Sequence, residues 1–423
     1  MNLLLKRATI IDKNSVYNNQ QMDIHLIDGR IASIEKEIKN ITNATEISAD
    51  NLHVSNGWID VNCNVKEPGF EHKETLNTVC NAAAQGGFTA IAAMPTTHPI
   101  TDSKANVHYI INASAQHAVS VLPIGAITQQ REGKHLAELY DMQQAGAVAF
   151  SDGKRTITDA GLVTRALQYV QPFGGRLMLY NDDKNISLKA QANEGTVATT
   201  IGLKGAPALA EHIMVQRNIM LAEYNNASVH LCNISSAGSI ALISAANAKG
   251  IHITCDVAAH YFMLDDSTLE GFDSNYKFQP PVRNSSNKAA LITALHNNSI
   301  TAIGSDHTPE PIEDKNVEFE NAAYGIIGLE TAFSVARSAT QALVPISTLI
   351  HAFTYGPAQV LGINITPIAV GIMANITLFD PTLNYTFTPH HIHSLSSNTP
   401  FVNAEFTGKA LGIINKNTYI KSK

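Results

Sequence analysis

The sequence predicts a (β/α)8 barrel carrying a small β domain, of the β-sandwich kind, built from both chain ends. Two observations carry this expectation. Between residues 56 and 362, eight short apolar runs alternate with stretches of helical period, and on either side the pattern reverts to short strand-like segments. Contiguous apolar runs between helices mark parallel strands buried on both faces, and eight of them close into a barrel. A chain of 423 residues has room for one large domain and one small one.

In chain order, residues 1–55 alternate apolar and polar positions, and Asp28-Gly29 between two such runs reads as a tight hairpin turn, where Gly supplies positive φ. The barrel, residues 56–362, takes its strands from 57–62, 88–94, 119–126, 147–151, 176–180, 228–233, 251–257 and 300–306. Helices are expected at 73–86, 103–117, 134–145, 159–171, 208–225, 236–249, 287–297 and 329–342, with Gly86-Gly87 stopping the first. Residues 363–423 return to short β segments and complete the small domain. The segment 307–324 is long for a barrel connection, and its Glu310, Glu313, Asp314, Glu318 and Glu320 suggest an acidic, solvated loop.

Composition narrows the function. Charged residues are 15% and the net charge is −7, with no Lys/Arg cluster, which argues against a nucleic-acid groove. No apolar run reaches the ~18 residues of a membrane span, and the N-terminus does not read as a signal peptide, so a cytoplasmic protein is expected. Cys63, Cys80, Cys232 and Cys255 are scattered without a CxxC, which suggests buried free thiols rather than disulfides or a cysteine zinc site.

In a barrel of this kind the chemistry sits at the C-terminal ends of the strands. Strand one ends in Asn62-Cys63-Asn64-Val65-Lys66-Glu67-Pro68-Gly69. With GGFTAIAAMPTTHPITDS (86–103), HLCNIS (230–235), KFQPPVR (277–283), SDHTPE (305–310), YGIIGLETAF (324–333), LFDP (378–381) and NTPF (398–401), the chain resembles the dihydroorotases of the amidohydrolase superfamily over nearly its whole length. The resemblance implies a zinc site made by a His-x-His pair on strand one, an Asp after strand four, single His residues on strands five and six, and an Asp after strand eight. Here those positions read Asn62 and Asn64, Asp152, Tyr180, Asn233 and Asp306. Four of the six have lost imidazole, and a carboxamide oxygen is a poor zinc donor. No metal cofactor is therefore expected. Asn62 and Asn64 are expected to bond each other and their neighbours, the alternative being a residual Mg or Ca site through Asp152, Asp306 and asparagine oxygens.

Asp306 matches the family's general acid/base, a role that is vestigial without a metal-bound hydroxide, so pairing with His307 or Lys154 is the plainer reading. The substrate positions have changed in parallel, to Lys66, Thr96, Gln279 and Glu310. Glu310 would repel a carboxylate substrate, and Lys66 lacks an arginine fork. The resemblance thus implies an inactive dihydroorotase-like chain of pyrimidine biosynthesis, a homodimer or hetero-oligomer that partners aspartate carbamoyltransferase. The alternatives are an active cyclic amidohydrolase with a new metal set, for which His98, His230, His260 and His307 are the candidates, and a pocket that binds a pyrimidine without turnover.

Overall fold

The computed structural model describes residues 1–39, 41 and 43–423. Eight parallel strands form the barrel wall: Trp58–Cys63, Phe88–Ala93, Ser120–Gly125, Ala149–Phe150, Met178–Tyr180, Val229–Cys232, Ile253–Ala258 and Ala302–Gly304. They pair in two runs of four, and the parallel bridges Phe150–Leu177 and Cys63–His307 join the runs at both seams. The barrel is closed, with the helices outside.

Its interior is filled by Ile59, Val61, Ala90, Ala92, Met94, Ile124, Ala149, Met178, Cys232 and Ala302. Ala358, Val360 and Leu361 of the helix Tyr355–Leu361 join this cluster. This helix and its neighbour Ile346–Phe353 were not expected from the sequence. The expected helix at 134–145 is shorter, Leu139–Gln144, because the residues before it form a loop held by polar contacts.

The two chain ends combine in one sheet, ordered Thr418–Lys421, Glu405–Asn415, Ile376–Thr386, His53–Asn56, Asn2–Ile10, Gln21–Ile27 and Arg30–Glu35, with Thr45–Ile47 beside the Asn2 strand. Asp28 (φ 47°) and Gly29 (φ 79°) make the tight hairpin turn, with Ile27 opposite Arg30. Trp58 ties sheet to barrel: its ring lies 4.5 Å from Phe333 and 5.5 Å from both Phe353 and Phe379, the last of these on the terminal sheet. All four cysteines are buried and free. Among the described residues, no helix is long and apolar enough to cross a membrane.

The 307–324 segment departs from the acidic loop expected of it. Glu313, Glu318 and Glu320 are exposed, but Glu310, Lys315 and Phe319 are buried. Lys315 Nζ donates to Ala323 O at 2.9 Å, and the Glu310 N–H donates to Asn398 Oδ1 at 3.0 Å. Bonds of this kind fold the segment onto the barrel mouth.

Candidate functional site

Strand one changes phase near its C-terminal end. Ile59 and Val61 face the barrel interior, and a register irregularity between Asp60 and Cys63 then brings Asn62 inward as well. Its amide donates to Asn233 Oδ1 at 2.5 Å, and Asn233 in turn donates through Nδ2 to Asp306 Oδ1 at 3.3 Å. Lys154, from the end of strand four, closes the chain of contacts with Nζ 2.7 Å from Asp306 Oδ1 and 2.8 Å from Oδ2. An ammonium thus covers both oxygens of the strand-eight carboxylate.

Burial pushes the Asp306 carboxyl above the usual carboxylate range, opposed by Lys154 and reinforced by Asp256. The pairing expected for Asp306 is therefore with Lys154. His307 turns elsewhere: its Nε2 faces Glu74 Oε2 at 3.3 Å, and its Nδ1 accepts the Gly328 N–H at 3.2 Å.

Asn62 and Asn64 do not bond each other. Successive inward positions of a strand lie ~6–7 Å apart, so each side chain finds a different neighbour. Asn64 donates to His307 O at 3.1 Å and Thr308 Oγ1 at 2.9 Å, and accepts from Thr96 Oγ1 at 2.7 Å. Lys66 donates to Glu310 Oε1 at 2.8 Å, while Lys73 takes Oε2 at 2.5 Å and Asp314 at 2.8 Å. Glu310, expected from the sequence to repel a carboxylate substrate, is thus held by two ammonium groups. Burial lowers the Lys66 pKa, with Glu310 opposing the shift.

Asp152 stands apart from this network. Its oxygens accept from the Thr128 N–H at 3.0 Å and Thr128 Oγ1 at 2.5 Å. Tyr180 and Gln279 meet instead across a cavity of about 360 Å³, shared with Asp182, Phe278 and Tyr324. Burial raises the Tyr180 phenol well above its ordinary value.

The backbone at three of these positions is unusual. Lys66 (φ 64°), Asn233 (φ 52°) and Asp306 (φ 53°) are left-handed. Asn and Asp tolerate this conformation, but Lys rarely adopts it, and such backbone clusters at functional sites.

These residues do not fit zinc. Asn62 presents its amide nitrogen to Asn233, whose oxygen is thereby taken, and Lys154 occupies both oxygens of Asp306. Of the four substitute histidines, His98 is exposed, and His307 is paired as described. His260 lies between the rings of Tyr261 and Phe278 at 4.3 and 4.4 Å, with Nε2 unpartnered and burial driving its pKa to about 3. His230 groups with Cys232 and Asp256, the one buried His/Cys/Asp set among the described residues. Both of its nitrogens are engaged, Nε2 with Asp256 Oδ1 at 2.8 Å and Nδ1 with Thr254 Oγ1 at 2.9 Å. Burial and Asp256 push the Cys232 thiol far from its thiolate form, which is the form that binds metal.

Sequence comparison gives this architecture its family. A model described as dihydro-orotase-like matches residues 53–239. A dihydroorotase of Geotalea daltonii is 37% identical, with 97% of each chain covered. One of Pelotomaculum thermopropionicum is 40% identical over 95% of this chain and 94% of its own. The chain belongs to the dihydroorotase family. Among solved structures, the L-hydantoinase of Arthrobacter aurescens superposes with a TM-score of 0.87 at 21% identity, covering 100% of this chain and 96% of its own. A dihydropyrimidinase from Brevibacillus agri gives 0.82 at 19%, covering 100% and 95%. These likenesses place the barrel of this dihydroorotase-family chain in the amidohydrolase fold.

Lys73, Glu74 and Thr128 partner the site residues but were not read from the sequence. No motif marks them, and only the fold brings them to Glu310, His307 and Asp152.

Proposed function

We propose that this chain is a catalytically silent dihydroorotase-family protein of pyrimidine biosynthesis, kept as a structural or regulatory partner of aspartate carbamoyltransferase. One observation carries the silent part: the Lys154 ammonium lies on both oxygens of Asp306, where a hydrolase of this fold needs a carboxylate free to take a proton. On this reading the mouth binds no zinc, because its cationic partner is already part of the chain. The partner part rests on the expectation drawn from the sequence, that a chain which keeps the family's fold without its ligand residues is kept for what it binds.

The relatives' names favour the other reading, an active dihydroorotase that opens the ring of dihydroorotate to carbamoyl aspartate. Several curated relatives at 34 to 40% identity carry that name. That reading needs Lys154 and Asn62 to withdraw and other donors to replace them.

Two assays separate these possibilities. Dihydroorotate turnover by the purified chain, with and without added zinc, is expected to match the blank. In gel filtration with the aspartate carbamoyltransferase of the same organism, the two chains are expected to co-elute. Zinc-dependent turnover abolished by Asp306→Asn would overturn the silent reading, and separate elution would overturn the partner reading.

A further inference from the structure

Beside the third and fourth strands, a pocket of about 400 Å³ opens at the barrel mouth, lined among others by Arg131, Lys134, Asp152, Arg155, Thr156 and Lys184. Its cations are poorly matched. Arg131 donates through Nε to the backbone oxygen of Asp152 at 2.9 Å, and Arg155 donates to the backbone oxygen of Arg131 at 3.3 Å. Neither guanidinium has an ion-pair partner among the described residues. The carboxylates that line the pocket are committed: Asp152 to Thr128, and Glu132 to Lys134 at 2.9 Å.

The loop that carries Arg131 is built to hold it there. Gln130 (φ 53°) and Arg131 (φ 56°) are consecutive left-handed residues without being glycine. Asp102 Oδ2 accepts from both the Gln130 N–H at 2.9 Å and Gln130 Nε2 at 3.0 Å, and Thr128 Oγ1 accepts the Gly133 N–H at 2.9 Å. The guanidinium then passes over Gly153, where a Cβ would stand 3.0 Å from Arg131 Nη2. Strained backbone that fixes a half-buried arginine next to a second arginine is costly unless an anion comes between them. Burial and the neighbouring Arg155 lower the Arg131 pKa to about 10, in keeping with two like charges facing one cavity.

We propose that this pocket binds a small polyanion with two or more carboxylate or phosphate groups, gripped by Arg131, Arg155 and Lys184. Planar guanidinium forks suit either group, and the pocket, though open to solvent, has the volume of a small-molecule site. The site is separate from the Lys154–Asp306 network, so it stands whether or not the chain turns over a substrate.

Isothermal titration of the full chain at low salt tests it, with inorganic pyrophosphate as the phosphate probe, citrate as the carboxylate probe and hexaglutamate as a mimic of an acidic protein segment. The expected result is one pyrophosphate or citrate per chain, weakened about tenfold or more in Arg155→Gln and in Lys184→Gln, and weakened further by salt. Arg155 and Lys184 are exposed, so these variants keep the fold, which circular dichroism checks, and Arg131→Gln completes the set. No saturable binding of either small probe, unchanged affinity in the variants, or binding of hexaglutamate alone would overturn the proposal.

Discussion

The base of the barrel and its mouth are made from the same eight strands and held by different forces. In the base, Ile59, Val61, Ala92, Ile124 and Met178 pack against one another, and Trp58 anchors the wall among four phenylalanines. In the mouth, Asn62, Asn233, Asp306 and Lys154 form a polar chain, and Lys66, Glu310, Lys73 and Asp314 form a second. Apolar burial has no titration, whereas every charged contact in the mouth does. The fold is therefore expected to be robust to pH through its base and responsive through its mouth, even without a metal.

The largest effect belongs to the base. Trp58→Ala removes a fully buried indole and should cost about 3–5 kcal/mol in urea unfolding, by the same amount at every pH where the protein is folded. A strongly pH-dependent loss would erase the distinction between the two regions.

His260 gives the mouth its steepest pH dependence. Its folded pKa of about 3 lies below the ordinary ~6.5, so the unfolded chain binds a proton that the native chain refuses. Stability should be complete above pH ~6.5 and fall by a few kcal/mol towards pH ~3. His260→Leu should flatten that limb, measured as unfolding free energy against pH, and an unchanged limb would remove His260 from the account.

Lys154→Met should cost about 3 kcal/mol at neutral pH, because it leaves the Asp306 carboxylate buried and unpaired. The deficit should shrink in acid. A carboxyl whose folded pKa is raised keeps its proton to higher pH than the unfolded chain does, so its penalty grows as pH rises from the ordinary carboxylate range through the folded value. Lys154→Met with Asp306→Asn should recover most of the loss, and additive costs would mean that the pair is not coupled.

Glu310→Gln should have the smallest effect, about 1–2 kcal/mol, because both lysines that lose the shared anion are partly exposed and Lys73 keeps Asp314. High salt should reduce it. A salt-independent loss would point to packing rather than charge.

The base was legible in the sequence and the mouth only in part, for a physical reason. Strands buried on both faces need contiguous apolar residues, so all eight runs stand out from their neighbours. The helix Ile346–Phe353 was missed because one more apolar stretch after the last helix has no strand to flank it. At the mouth, the residues expected to stand at ligand positions could be named only through the resemblance to the dihydroorotases. Their partnerships could not. Lys154 reaches Asp306 across 152 residues and Lys66 reaches Glu310 across 244, and neither pairing leaves a local pattern. The expected Asn62–Asn64 bond failed for the converse reason: residues two apart point the same way along a strand without meeting.

The most direct test is zinc per chain, measured by mass spectrometry after incubation with excess zinc and dialysis, on the native protein and on Asp306→Asn. Well below one zinc per chain is expected in both, because Lys154 already holds the carboxylate. One tightly held zinc in the native protein, lost in Asp306→Asn, would show that the ammonium yields to a metal and would contradict the silent site.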